Sequence, residues 1–108
     1  MPIDLPPLLD LYVKAENAGD IEAFVLCFAA DAVVRDEARS HQGRVAIGEW
    51  MTEAKKKYNH TVEPLELADQ DGKTVFKARV SGSFPGSPVM LASTFVIADG
   101  KIVSLEIG

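Results

Sequence analysis

Apolar residues recur along this chain with two different periods, and the change falls near its middle. In the first half Leu8, Leu11, Tyr12 and Ala15 return at spacings of three and four, which predicts a helix with one stripe facing a core. Pro6 and Pro7 suit its start, where an N–H would be unbonded anyway, and Gly19 can adopt the left-handed conformation that ends it. Asp20 then reads as the N-cap of a second helix running to about Phe28, its carboxylate accepting from free backbone N–H groups. Ala32 to Glu37, around Val33 and Val34, predicts a short strand. Ile47, Trp50, Met51, Ala54 and Tyr58 hold the spacing of one buried stripe and predict a third helix.

Beyond Tyr58 the period falls towards two. Val62 to Ala68, Thr74 to Ser81, Val89 to Ala98 and Ile102 to Ile107 read as strands, with Asp71-Gly72 and Asp99-Gly100 as tight-turn dipeptides between them. Three helices followed by sequential hairpins predict an α+β fold in which the helices cover one face of a curved, mainly antiparallel sheet. In the strand from Val89, one face carries Val89, Leu91, Ser93, Phe95 and Ile97, and the other carries Met90, Ala92, Thr94, Val96 and Ala98. A water-facing side should be more polar than either. The helices account for one cover; the other is a second copy of the chain, giving a homodimer through the sheet, or a loop or terminus folded over.

Composition narrows the partners. The 108 residues carry 11 Lys+Arg against 16 Asp+Glu, a net charge of −5, and 47% hydrophobic residues, which fits a single domain over 1–108. The acidic balance argues against nucleic acid, because phosphate binding rests on clustered cations, and the one basic run, Lys55-Lys56-Lys57, reads as a solvated helix face. Met1-Pro2-Ile3-Asp4 has no basic start or apolar stretch, and no segment reaches the ~20 apolar residues of a bilayer span, so no membrane role and a cytoplasmic location are expected. The lone Cys27, among Phe24, Val25 and Phe28, reads as a buried, inert thiol.

Four segments in order carry a resemblance. They are Tyr12-Val13-Lys14-Ala15-Glu16-Asn17-Ala18-Gly19-Asp20, Cys27 to Asp36, Gly43-Arg44-Val45-Ala46-Ile47, and Asp99-Gly100-Lys101-Ile102-Val103. Together they resemble the nuclear-transport-factor-two-like superfamily, which includes the SnoaL-like polyketide cyclases and the ketosteroid isomerases. The resemblance implies a cone-shaped, cystatin-like roll around a deep apolar cavity, commonly in a homodimer. Fold alone does not settle function in such a group.

The same resemblance places Tyr12 at an oxyanion-donating tyrosine and Asp36 at a general-base aspartate, with Ser93 where the isomerases keep a second acid. Ketosteroid isomerase is one of the standard cases of such tuning. Independently of the resemblance, an aspartate in a pocket walled by Trp50, Phe84, Leu91 and Phe95 would lose water and become a better proton acceptor. A phenol donating to a substrate carbonyl would stabilise the resulting enolate, and a serine in place of an acid would do so more weakly. Tyr12 as a core tyrosine tied to the backbone, and Asp36 as a turn cap beside Arg35 or Arg39, are the plain structural alternatives.

The remaining chemistry is sparse. His41 and His60 offer no metal spacing with Cys27, so no metal is expected; His41 reads as solvent-exposed and His60 as part of the helix cap at Asn59, with a pocket acid–base role as the alternative for each. Ser81 to Pro88 reads as a rigid loop at the cavity rim, with Phe84 able to touch a ligand. No phosphate-binding loop or dinucleotide fingerprint occurs, so no cofactor is expected. The expected partner is a small, mainly apolar molecule. The chain is then either a cofactor-free acid–base isomerase, cyclase or dehydratase acting next to a carbonyl, or a non-catalytic binding or dimerisation module.

Overall fold

The computed structural model describes residues 4–36 and 38–107. Met1 to Ile3, Glu37 and Gly108 lie outside the described residues, and with them the opening tripeptide and the last residue of the strand predicted to end at Glu37. The order of elements is α1 (Pro7–Ala18), α2 (Ile21–Leu26), β1 (Phe28–Asp36), β2 (Arg39–Gln42), α3 (Gly43–Tyr58), β3 (Thr61–Gln70), β4 (Lys73–Ser81), β5 (Val89–Ala98) and β6 (Lys101–Ile107). Three helices pack on a six-stranded curved sheet in the order β2-β1-β6-β5-β4-β3, an α+β fold.

Local chemistry sets the boundaries. Pro7 opens α1, and Gly19 at φ 69° closes it, its N–H reaching back to the carbonyls of Ala15 and Glu16. The Asp20 carboxylate accepts from Ala23 N at 3.1 Å and caps α2. That helix stops at Leu26, short of the predicted Phe28, because Phe28 already belongs to β1. The buried face of α1 is Leu9, Tyr12, Val13, Ala15 and Glu16, whereas Leu11, expected on the stripe, is 60% exposed. The stripe is therefore rotated from the expected one by a fraction of a turn, and Glu16 lies on it.

Two features of the sheet depart from a plain meander. β2 was not expected, since Arg39-Ser40-His41-Gln42 has no apolar alternation; it exists because its backbone pairs antiparallel with β1, from Val33 with Gln42 to Asp36 with Arg39. β1 also runs parallel to β6, so the sheet is mostly antiparallel. Register shifts in β1, β3 and β6 mark the irregularities at which such strands bend. Phe24, Phe28, Phe95, Leu9, Ile47 and Ile102 fill the space between helices and sheet. On the outer face of β5, Met90 is 62% exposed and Ala92 and Val96 are half-buried. No helix among the described residues is long and apolar enough to cross a membrane.

Candidate functional site

A cavity of about 330 Å³ lies between the inner face of the sheet and helices α1 and α3. Met51, Ala54, Val62, Phe76, Ala78, Val80, Val89, Leu91 and Ile107 make most of its wall apolar. Its volume is at the lower end of the range for ligand pockets. Into this wall the fold inserts a few polar groups, gathered in two places.

At one place stands Asp36, the last residue of β1 and half-buried. Trp50, projecting from the middle of α3, donates from Nε1 to Asp36 Oδ2 at 3.2 Å. Its indole stacks in turn on the His41 ring, centroids 5.7 Å apart, so His41 is half-buried against an aromatic where solvent exposure was expected. Arg44 at the start of α3 donates to the Phe28 carbonyl at 3.0 and 2.8 Å, which fixes that helix against β1.

At the other place three side chains form a chain. His60 Nε2 and Glu16 Oε2 are 2.8 Å apart, and both side chains are more than nine-tenths buried. Glu16 lies one helical turn beyond Tyr12 on the same face of α1. Burial, first, and then the charge and hydrogen bond of Glu16 push the Tyr12 phenol well above its ordinary pKa. Asp36 adds to the same push by its charge. The His60 Nδ1 is the one buried side-chain nitrogen or oxygen among the described residues without a hydrogen-bond partner.

Backbone contacts explain how His60 arrives there. Asn59 takes the left-handed turn that closes α3, at φ 46°, so the cap belongs to Asn59 and not to His60. Asn17 on α1 then clamps β3 at two points, donating to the Val62 carbonyl at 2.9 Å and accepting from Val62 N at 2.7 Å. Lys55 Nζ donates to the His60 carbonyl. Behind it Gly82 approaches so closely that an added Cβ would meet Tyr58 O at 2.7 Å and His60 Cα at 3.1 Å.

Of the residues singled out from sequence, Tyr12, Asp36, Ser93, Trp50, Phe84 and Leu91 line this one cavity. Phe95 does not. It is fully buried in the core, edge-on to Tyr12 at 5.2 Å, one layer beneath the wall it was expected to form. Phe84 touches Tyr58 edge-on at 5.7 Å, which sets both rings among the cavity residues contributed by the β4–β5 loop and the end of α3. Cys27 is buried, and burial raises its thiol pKa against the smaller opposing pull of Lys101.

Glu16 and the burial of His60 were missed. The signal for Glu16 was its place three and four residues after Val13 and Tyr12, on a stripe with Leu9. For His60 it was the alternation that sends Thr61 and Glu63 outward and Val62 inward, leaving His60 on the inner side. Among the described residues no group of three or more His, Cys, Asp or Glu side chains could hold a metal ion.

Comparison with known proteins adds a family and a fold. The family model for the SnoaL-like domain matches residues 9–105. A candidate polyketide cyclase of Sinorhizobium meliloti, protein SMa1630, is 47% identical, with 97% of this chain and 96% of that chain covered and a TM-score of 0.92. A protein of Catenulispora acidiphila with a ketosteroid isomerase-like fold, solved with trimethylamine, is 20% identical over 97% of this chain and 86% of its own, TM-score 0.84. A Cytophaga hutchinsonii protein of the nuclear-transport-factor-two-like kind, 12% identical over 100% of this chain and 93% of its own, reaches a TM-score of 0.79. No curated relative matches the chain.

Proposed function

The chain belongs to the SnoaL-like domain family, and from that premise we propose that it binds a small, mainly apolar carbonyl compound and moves protons on it without a cofactor. The observation that carries this reading is the composition of the cavity. Its wall is apolar, and the polar side chains it admits include two carboxylates, an imidazole and phenols, the groups of acid–base chemistry. The S. meliloti neighbour, named for a cyclase of polyketides, supports a carbonyl-bearing substrate.

Asp36 is the base in this reading. Its carboxylate removes a proton from the carbon next to the carbonyl, the C–H electron pair moves into a new C=C bond, and the carbonyl oxygen takes the negative charge. Isomerisation, cyclisation and dehydration share that first step. Trp50 fixes Asp36 by its hydrogen bond, and the apolar wall excludes the water that would compete for it. Tyr12 and Ser93 face the same space, but the burial and carboxylate neighbours that raise the Tyr12 pKa also weaken it as an oxyanion donor.

The test is proton exchange. With 2-tetralone as a two-ring apolar ketone in D2O, the protein should accelerate loss of the α-proton signals, and Asp36→Asn should lower that rate by about 10²- to 10⁴-fold. An unchanged rate in Asp36→Asn would remove Asp36 as the base. The apolar outer face of β5 supports a homodimer packed through the sheet; light scattering should give a dimer mass, and Met90→Lys should halve it. A monomer mass for the parent protein ends that part of the reading.

A further inference from the structure

A carbonyl that becomes an enolate gains negative charge inside an apolar enclosure, where charges interact strongly. This cavity already holds two carboxylates, Asp36 and Glu16. Among the described lining residues His60 is the one basic side chain. Two of the other donors are poorly placed to meet the new charge, since Trp50 Nε1 already donates to Asp36 and the Tyr12 phenol is engaged by Glu16, while the neutral hydroxyls of Ser93 and Tyr58 carry no charge to offset it. The His60 Nδ1, in contrast, is buried and without a partner, a state that is unfavourable if nothing occupies it.

We propose that His60 Nδ1 hydrogen-bonds the substrate oxygen, so that the His60–Glu16 pair, and not Tyr12, stabilises the enolate. The inference rests on the carbonyl-site reading above and names the residue that polarises the substrate. Glu16 holds the imidazole through Nε2 and balances its charge when it is protonated. Nδ1–H then points its proton at the oxygen. As Asp36 accepts the carbon-bound proton, the charge it loses reappears on that oxygen beside the imidazolium. When the oxygen takes the Nδ1 proton as well, the products are a neutral enol and a neutral imidazole. Both protons return as the enol collapses to a ketone. Among the described residues the charged or titratable groups around His60 are Glu16 and Tyr12 from α1 and Lys55 from α3, the last at the His60 backbone carbonyl; Asp36 from β1 and Tyr58 from α3 share the cavity.

Two measurements decide it. With 2-tetralone, His60→Gln should lower kcat about 100-fold with KM little changed, and the pH profile of exchange should lose one limb that the parent protein shows. In ¹⁵N-labelled parent protein, 2-naphthol as a flat enol analogue should shift the His60 Nδ1 resonance; only His41 competes, and His41→Gln assigns the pair. A parent rate retained by His60→Gln while Asp36→Asn has lost it overturns the inference and leaves the carbonyl-site reading standing. Bound 2-naphthol with an unmoved Nδ1 resonance does the same, and decides the matter should His60→Gln fail to fold. A parent protein that neither exchanges 2-tetralone nor binds 2-naphthol overturns the reading and the inference together.

Discussion

The two polar places in the cavity are built differently. Around Asp36, a half-buried carboxylate meets a neutral indole N–H where β1 and α3 adjoin. Around Glu16, three titratable side chains from α1 and from the residue just before β3 are buried together, with a clamp from Asn17 and a lysine on the backbone holding them in register. The first arrangement keeps a half-buried carboxylate in the lining of the cavity. The second commits the fold to a buried, hydrogen-bonded pair, because either partner alone would be a buried polar group with nothing to satisfy it. One is fit to be a base, and the other to hold charge in place.

Stability measurements can break that contrast. Removing one partner of a buried pair typically costs about 3–5 kcal/mol, so Glu16→Ala should lower the urea unfolding free energy by that amount, while Asp36→Ala should cost about 1 kcal/mol. Equal losses would mean the two places are not different in kind. Gly82→Ala comes next: its Cβ must push Tyr58 O or the His60 backbone aside, at about 1–3 kcal/mol. It should move the His60 imidazole resonances and leave the Trp50 fluorescence unchanged, which localises the damage to one place. Tyr12→Phe removes the phenol's bond to Glu16 at every pH and, with it, a pH dependence at the alkaline end. The unfolded phenol ionises near pH ~10 and the buried one does so only above that, so stability falls as pH rises past ~10, by at most about 1.4 kcal/mol per unit. Tyr12→Phe should lack that fall in an alkaline urea series; an identical decline in both proteins would contradict the burial of the phenol beside Glu16.

The sequence made the Asp36 place far more legible than the Glu16 place, and the reason is physical. Trp50, Met51, Ala54 and Tyr58 advertise their face by periodicity, and the carboxylate at the end of an apolar strand stands out against Val33 and Val34. Glu16 and His60 are polar residues whose usual place is the surface, and their burial follows only from partners 44 residues apart in the chain. Periodicity phases the α1 stripe towards Leu11 for the same cause: it favours an apolar residue over a glutamate whose carboxyl is met by tertiary structure. β2 was invisible because a strand of Arg, Ser, His and Gln is held by backbone pairing, which side-chain patterns do not record. Alternation gives the face of a strand but not the depth to which it is covered, so it cannot tell Phe95 in the core from a residue of the cavity wall.

A crystal structure of the protein soaked with 2-naphthol puts the account to its most direct trial. The ligand should lie within the apolar wall, its oxygen within about 2.6–3.2 Å of His60 Nδ1 and its ring edge turned towards the Asp36 carboxylate. An empty cavity, or a naphthol whose oxygen points out past Phe84 and Tyr58, would contradict it.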